Sequence, residues 1–406
     1  MIKLFEAFSG YGSQSLALKR YRIEFEHVGI AEIDKYAIAA HESLHGKVKN
    51  YGDISKLETY ELPNMDLFTY SFPCQDISNA GKQAGLEKGS GTRSSLLWEC
   101  ERIIANKRPK FLMMENVKNL VGKKNKPNFD KWLLILESLG YNNYWKVINA
   151  KWCGVPQNRE RVFCVSILKE FDNGQFKFED DFDNGIRLKD ILEMKVDEKY
   201  YLSNDAIKYM SRERNGKARW NYHINDYETE ACCLTANMYK GIPYGVITTK
   251  EERRLLSKEK KLEPELEMVG MLDIKGNECI RRVYDSEGLS PSLTTMQGGN
   301  RQPKIIIDDT QGFDGVRVYK DICPTIRAQR SGLKTITNYR IRKLTPKECF
   351  RLMGLTDEEI DKIQSTIINK KPISNSQQYK LAGNSIVVNC MKFLKNINVL
   401  LENDCD

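Results

Sequence analysis

The segment Asp66-Leu67-Phe68-Thr69-Tyr70-Ser71-Phe72-Pro73-Cys74-Gln75 opens with an apolar run too short for a helix, bounded upstream by Pro63-Asn64. It therefore reads as a buried strand. Pro73 stiffens the exit and leaves Cys74 at the carboxyl edge of what should be a parallel sheet, the edge where ligand-binding and catalytic groups collect in open α/β sheets. Beyond it, Gly81, Gly85, Gly89 and Gly91 alternate with Lys82 and Lys88, a composition suited to a mobile, positively charged flap. The plain alternative is a packed thiol ahead of a surface loop, since free cysteine behaves as a small hydrophobe.

Upstream, Lys3 to Phe8 reads as a first strand, Ser9-Gly10-Tyr11-Gly12-Ser13 as a tight turn, and Gln14 to Tyr21 as a helix. Phe25 to Ala31 is a second strand ending at Glu32-Ile33-Asp34. Glu32 follows Gly12 at about the distance, ~20 residues, at which nucleotide-binding folds place a carboxylate on ribose hydroxyls. Ser15 stands where a dinucleotide fingerprint wants its third glycine, which argues for an adenosine ligand without a pyrophosphate. Val48 to Ile54 offers a third strand, with Asp53 either bonding an adenine amino group or capping the next element.

Downstream of the flap, Leu96, Leu97, Cys100, Ile103 and Ile104 recur at helical intervals between Thr92, a candidate cap, and Asn106. Lys110 to Val117 is a strand whose apolar run stops at Glu115-Asn116. A helix over Pro127 to Leu139 and a strand over Arg161 to Leu168 complete an α/β alternation. Past about Phe171 the chain changes to short β-like phrases. Three resemble one another: Cys232 to Ala236, Pro291 to Thr295 and Pro324 to Ala328, each followed by glycine. Arg301, Arg327 and Arg330 in this region have side chains of the kind that bridge phosphates and base edges. Thr345-Pro346-Lys347-Glu348 is shaped as a capping box, and Ile386 to Leu401 as a closing helix with an apolar stripe on Val387, Met391, Leu394, Ile397 and Leu401.

A chain of 406 residues with 41% hydrophobic content and a formal charge of +8 suggests two globular domains and a polyanionic partner. Eleven cysteines without a C-x-x-C pair disfavour a disulfide framework or zinc ribbon. No apolar run reaches membrane-span length, and the start lacks the blocks of a signal peptide, so a cytoplasmic location is expected. His41 and His45 lie one turn apart but without partner ligands, so no metal is expected. Lys118, Lys123, Lys124 and Lys126 form a basic stretch that could meet phosphates or simply be solvated.

A strand-end cysteine and a strand-end glutamate beside an adenosine-type pocket suit covalent catalysis with acid assistance. A thiolate adding at C6 of cytosine while an acid protonates N3 makes C5 nucleophilic enough to take a methyl group. Such a base must leave its duplex to be reached, and a flap after Cys74 could close behind it.

In their order the motifs resemble those of the DNA (cytosine-5)-methyltransferases of bacteria and phages. Phe8-Ser9-Gly10-Tyr11-Gly12 resembles the cofactor turn, Pro73-Cys74-Gln75 the nucleophile motif, and Glu115-Asn116-Val117 the family's Glu-Asn-Val. Gln157-Asn158-Arg159-Glu160-Arg161 is similar to its Gln-x-Arg-x-Arg, with Asn158 where many members carry arginine. Arg342 to Glu348 resembles the segment preceding the return to the large domain, and Gly383-Asn384-Ser385 the closing motif.

The resemblance implies a large Rossmann-like catalytic domain with a mostly parallel sheet (residues 1–180, completed by 341–406) and a smaller β-rich target recognition domain (181–340). It implies Cys74 as nucleophile, Glu115 as the N3 acid, and Arg159 and Arg161 as base and loop anchors. S-adenosylmethionine would meet Phe8, Gly10, Gly12, Glu32, Ile33, Asp53, Ile54, Pro73, Leu97, Asn384 and Ser385. DNA contacts would come from Gln75, Ser78, Lys82 and Gln83 in the flap and from Arg301, Arg327 and Arg330. The expected setting is a monomer on double-stranded DNA, with or without a separate restriction endonuclease. A tRNA methyltransferase, an inactive nucleic-acid-binding scaffold and a nicotinamide oxidoreductase are the other readings. The long insertion, the joint presence of Cys74, Glu115 and Arg161, and Ser15 argue against them in turn.

Overall fold

The computed structural model describes residues 1–73, 93–186, 188–200, 268–271, 282–285, 290–291, 304–308, 339–343 and 345–397. Cys74, Gln75, Ser78, Lys82, Gln83, the flap glycines, Thr92, Arg301, Arg327, Arg330 and nearly all of the three similar phrases lie outside these residues. The chain divides into two compact units, one formed by Met1–Val155, Arg159–Gly185 and Cys349–Asp406, the other by Pro156–Asn158 and Ile186–Glu348.

The first unit is built on a six-stranded sheet. Its strands are β1 (Ile2–Ala7), β2 (Phe25–Ala31), β3 (Leu67–Tyr70), β4 (Phe111–Val117), β5 (Tyr141–Asn149) and, after the two-residue β6 (Gln157–Asn158) of the other unit, β7 (Glu160–Leu168). They lie in the order β2-β1-β3-β4-β7-β5. β2, β1, β3 and β4 pair in parallel, and β7 runs antiparallel between β4 and β5. The crossovers are helices α1 (Ser13–Arg20), α2 (Lys35–His45), α3 (Leu97–Lys107) and α4 (Lys126–Ser138). The chain leaves β1 for β2 on one side and returns to β3 on the other. The carboxyl ends of β1 and β3 therefore flank a topological switch point, where such sheets bind ligands.

Strand β3 is buried throughout, as its short apolar run requires. Trp132 of α4 is fully buried and donates its ring N–H to Tyr70 Oη at 3.2 Å, tying that helix to β3. Burying rings of this size contributes about 1.5–3 kcal/mol each, so the β3 neighbourhood anchors the sheet.

Three expectations change. Val48 to Ile54 is not a strand: it makes one isolated bridge, Ile30 to Asn50. Asn50 turns its side chain back onto Glu32, and Gly52 takes a φ of +73°, both incompatible with a continued ladder. The helix expected from Thr92 starts, in the described residues, as a 3-10 turn over Arg93–Leu96 and becomes α-helical only at Leu97. Among the described residues, the expected closing helix begins as a 3-10 turn at Val388–Met391 and is α-helical over 394–397, and Val387, Met391, Leu394 and Ile397 are buried as the stripe requires. Strand β5 has no counterpart in the sequence reading, because an edge strand with Asn142, Asn143 and Asn149 carries no apolar run.

The second unit carries a four-stranded sheet among its described residues, ordered β12-β11-β9-β8. Its strands are β8 (Met268–Met271), β9 (Arg282–Asp285), β11 (Lys304–Asp308) and β12 (Tyr339–Lys343), while β10 (Ser290–Pro291) pairs with β6. Helix α5 (Pro346–Leu352) begins with the expected capping box. Thr345 N donates to Glu348 Oε2 at 2.8 Å and Glu348 N to Thr345 Oγ1 at 3.2 Å. Helices α6 (Asp357–Ser365) and α7 (Asn375–Asn384) follow and belong to the first unit. No helix among the described residues is long and apolar enough to cross a membrane.

Candidate active site

At the end of β1 the chain turns through Phe8 (φ 55°), Gly10 (φ 57°) and Gly12 (φ 81°). Glycine is required at residue 12, because a Cβ there would sit 2.5 Å from His45 Nε2 and 2.9 Å from His41 Cδ2. At Gly10 the situation is the reverse. A Cβ would find only Ser385 Oγ, at 3.8 Å, so the missing side chain leaves open space over the turn. Phe8 packs part of its ring against the core.

Glu32 borders that space from the end of β2. Its Oε2 accepts from Gly10 N at 2.9 Å, and its Oε1 from Ile33 N at 2.8 Å and Asp34 N at 2.9 Å. Asn50, missed in the sequence, holds the Glu32 backbone from both sides: its Oδ1 accepts from Glu32 N at 3.1 Å and its Nδ2 donates to Glu32 O at 2.9 Å. Ile33 is 74% exposed, an apolar side chain left uncovered beside the turn. Together these offer a carboxylate, an open glycine cradle and an apolar face, a set that fits an adenosine moiety.

The remaining candidates divide. Asp53 Oδ1 accepts from Ser55 N at 3.0 Å and Ser55 Oγ at 2.8 Å, and those bonds lower its pKa. Of the two readings offered for Asp53, capping is the one its contacts display. Ile54 and Leu97 are buried in the core. Asn384 is exposed, while Ser385 is buried and donates its hydroxyl to Leu381 O at 2.8 Å.

The second half of the site lies at the ends of β3 and β4. Their parallel register pairs Tyr70 with Met114, which brings the chain after β3 alongside Glu115. Asn116 Nδ2 donates to Phe72 O at 2.9 Å, and Ser94 Oγ to Pro73 O at 2.7 Å. These two bonds fix the backbone immediately ahead of Cys74. Sequence reasoning placed Asn116 in a motif but gave it no task, and Ser94 carried no signal.

Glu115 is 7% exposed, and Arg161 Nε lies 3.2 Å from its Oε1. Burial raises the Glu115 pKa, and the opposing charges of Arg161 and then Arg159 do not cancel that rise. A carboxyl in such a position can keep a proton to give away. Arg159 is buried, with its Nη2 donating to Gly383 O at 3.1 Å and Ser385 O at 2.8 Å. It thus clamps the closing motif onto β7 and also lends positive charge to Glu115. In the basic stretch, Lys118 pairs with Glu160 at 2.8 Å and Lys126 with Asp130, so these two lysines are engaged within the protein.

A family model described as C-5 cytosine-specific DNA methylase matches residues 2–397. The type II methyltransferase M2.ScrFI of Lactococcus lactis subsp. cremoris is 35% identical over 447 residues, covering 97% of this chain and 98% of that one. The orphan methyltransferase M.SPBetaI of Bacillus phage SPbeta is 30% identical over 468 residues, covering 96% of each. Among solved structures, the S. pombe Dnmt2 methyltransferase shares the fold at a TM-score of 0.61 and 17% identity, covering 99% of both chains. With the family match spanning nearly every residue from β1 to the closing motif, this chain belongs to the C-5 cytosine-specific DNA methylase family.

Proposed function

We propose that this enzyme methylates C5 of a cytosine extruded from duplex DNA, with Cys74 adding to C6 and Glu115 protonating N3. The observation that carries this reading is Glu115 itself, a buried carboxyl of raised pKa beside the strand exit that leads directly into Cys74. As the Cys74 sulfur bonds to C6, the N3 lone pair takes the Glu115 proton and the C5–C6 π electrons become available at C5. Bound S-adenosylmethionine supplies the methyl group. Loss of the C5 proton to solvent, expulsion of the Cys74 thiolate and return of the N3 proton to the Glu115 carboxylate then restore the aromatic ring. Arg161 holds Glu115 in place and limits how far its pKa climbs, so that the proton can be both held and released.

The space over Gly10, the Glu32 carboxylate and the exposed Ile33 would hold the adenosine part of the cofactor, with Ser385 closing one side. Residues 1–180 and 341–406 act as the catalytic part, and 181–340 as the part that reads the target sequence. Arg301, Arg327, Arg330 and the flap residues Gln75, Ser78, Lys82 and Gln83 provide DNA contacts. The protein acts as a monomer in the cytoplasm, as part of a restriction-modification system or as an orphan enzyme.

Incubation with duplex DNA carrying 5-fluorocytosine tests the chemistry. The C5 fluorine cannot leave as a proton does, so a denaturant-resistant protein–DNA species should accumulate in the wild type and be absent from Cys74→Ala. Failure to trap the wild type on DNA that it demonstrably methylates would remove the covalent route. Bisulfite sequencing of DNA from cells expressing the chain identifies the target.

A further inference from the structure

Beneath the glycine turn lies a group of side chains that methyl transfer does not use. Glu6 of β1 and His41 of α2 are fully buried, and His27 of β2 is nearly so. One ligand atom from each of Glu6, His27 and His41 lies within 4.8 Å of the other two. His41 was expected to stand without partner ligands. The partners come from strands, which spacing along α2 could not reveal.

The contacts crowd one atom. His27 Nε2 lies 2.9 Å and His41 Nε2 3.4 Å from Glu6 Oε2, which also accepts from Ser15 Oγ at 2.9 Å. Despite the short separation, His27 Nε2 makes no hydrogen bond. Three donors around four-coordinate zinc, each bonded at about 2.0–2.2 Å, stand on the order of 3.3 Å apart, close to the 2.9 and 3.4 Å between Glu6 Oε2 and the two imidazoles. The Nδ1 of His27 lies 3.4 Å from Ser15 Oγ, positioned as the outer partner that orients a metal-bound imidazole. Access is present too. A cleft of about 570 Å³, lined by Lys19, Ile23, Glu24, Phe25, His27 and His45, reaches the edge of the cluster at His27. His45 is occupied elsewhere, between Lys19 Nζ at 2.9 Å and Tyr11 O at 3.1 Å.

We propose that Glu6, His27 and His41 form a binding site for one divalent transition-metal ion, zinc by the chemistry of its donors, with the fourth position open to water from the cleft. Two imidazoles and a carboxylate are a borderline set that favours zinc over the oxygen-seeking magnesium and calcium. Its role is structural. The ion would join β1, β2 and α2 directly under Gly12, whose missing Cβ lets the turn rest on the imidazoles. Occupancy would therefore stiffen the turn that faces the cofactor.

The test uses the full-length protein stripped with a chelator and titrated with Co²⁺. We expect one ion per chain, with the visible absorption of a four-coordinate site, displaced by Zn²⁺, and a rise in Tm with metal as the folded form is selectively bound. His27→Gln and His41→Gln should each weaken Co²⁺ binding more than tenfold, whereas His45→Gln should retain it. Should His41→Gln fail to fold, His27→Gln at the cleft rim carries the test alone. A folded wild type with no stoichiometric Co²⁺ signal, a signal untouched by His27→Gln, or an equal loss in His45→Gln would each overturn the assignment. None of these readouts depends on methyl transfer.

Discussion

Glu6 and Glu115 are both buried glutamates on strands of one sheet, and their surroundings drive them in opposite directions. Burial pushes each carboxyl upward. At Glu6 the imidazoles of His27 and His41 outweigh it, and the carboxyl falls far below its ordinary range. Ser15 adds two further bonds, from its N at 3.1 Å and its Oγ at 2.9 Å. At Glu115 burial prevails over Arg161 and Arg159, and the pKa stays raised. A ring of hydrogen-bond donors makes a carboxylate a permanent anchor, whereas a guanidinium along one edge leaves it able to carry a proton. The first suits the floor of a binding turn, the second a general acid.

The sharpest break of this comparison removes the partner of the acid. Cys74→Ala should lose methyl transfer to below detection in a tritium-incorporation assay while DNA binding persists, since N3 gains no basicity unless C6 is attacked. Retained turnover would leave Glu115 without its proposed task. Next, Glu115→Gln should slow single-turnover transfer by about 10²–10⁴-fold. The wild-type rate should decline as pH rises through the raised Glu115 pKa, and that limb should vanish in the variant. A limb that survives the substitution belongs to another group.

Glu6 should respond in stability rather than chemistry. Glu6→Ala strands Ser15 and two imidazoles and should cost about 3 kcal/mol in urea unfolding; a loss within error would show that the donors find other partners. The pH dependence separates the two residues. A lowered folded pKa contributes stability present above the unfolded value and lost as pH falls through the folded one. A raised folded pKa contributes stability present below the unfolded value and lost as pH climbs through the folded one. Up to the ordinary glutamate pKa of about 4.3, the margin of wild type over Glu6→Gln should therefore grow with pH and then level off, whereas above that pH the margin over Glu115→Gln should shrink. Parallel trends would erase the contrast.

The smallest effect concerns the rim of the proposed cofactor space. Lys380 of α7 meets Asp34 Oδ2 at 2.5 Å, next to Glu32 and Ile33, with both side chains partly exposed. Lys380→Met should cost less than about 1 kcal/mol of stability and weaken S-adenosylmethionine binding only a few-fold by calorimetry. A large loss would mean that α7 positions the cofactor more directly than the contacts suggest.

Much of this was legible from local pattern. The β3 run, the Gly10 and Gly12 turn, Glu32 past β2, Glu115 at the end of β4 and the Thr345 to Glu348 box each depend on neighbours a few residues away. Spacing and side-chain type therefore encode them directly. Asn50 was misread for the same reason. Its segment looks extended, but its amide serves Glu32, 18 residues earlier.

What the folded chain alone decided is which charges and donors surround each buried group. Arg159 reaches Ser385 across 226 residues, His41 reaches Glu6 across 35, and Arg161 meets Glu115 only because β7 runs antiparallel beside β4. Residue identity determines that a carboxyl can titrate. Its proton affinity follows from the packing of distant segments around it, because desolvation and short-range charge depend on distance in space and not on separation along the chain.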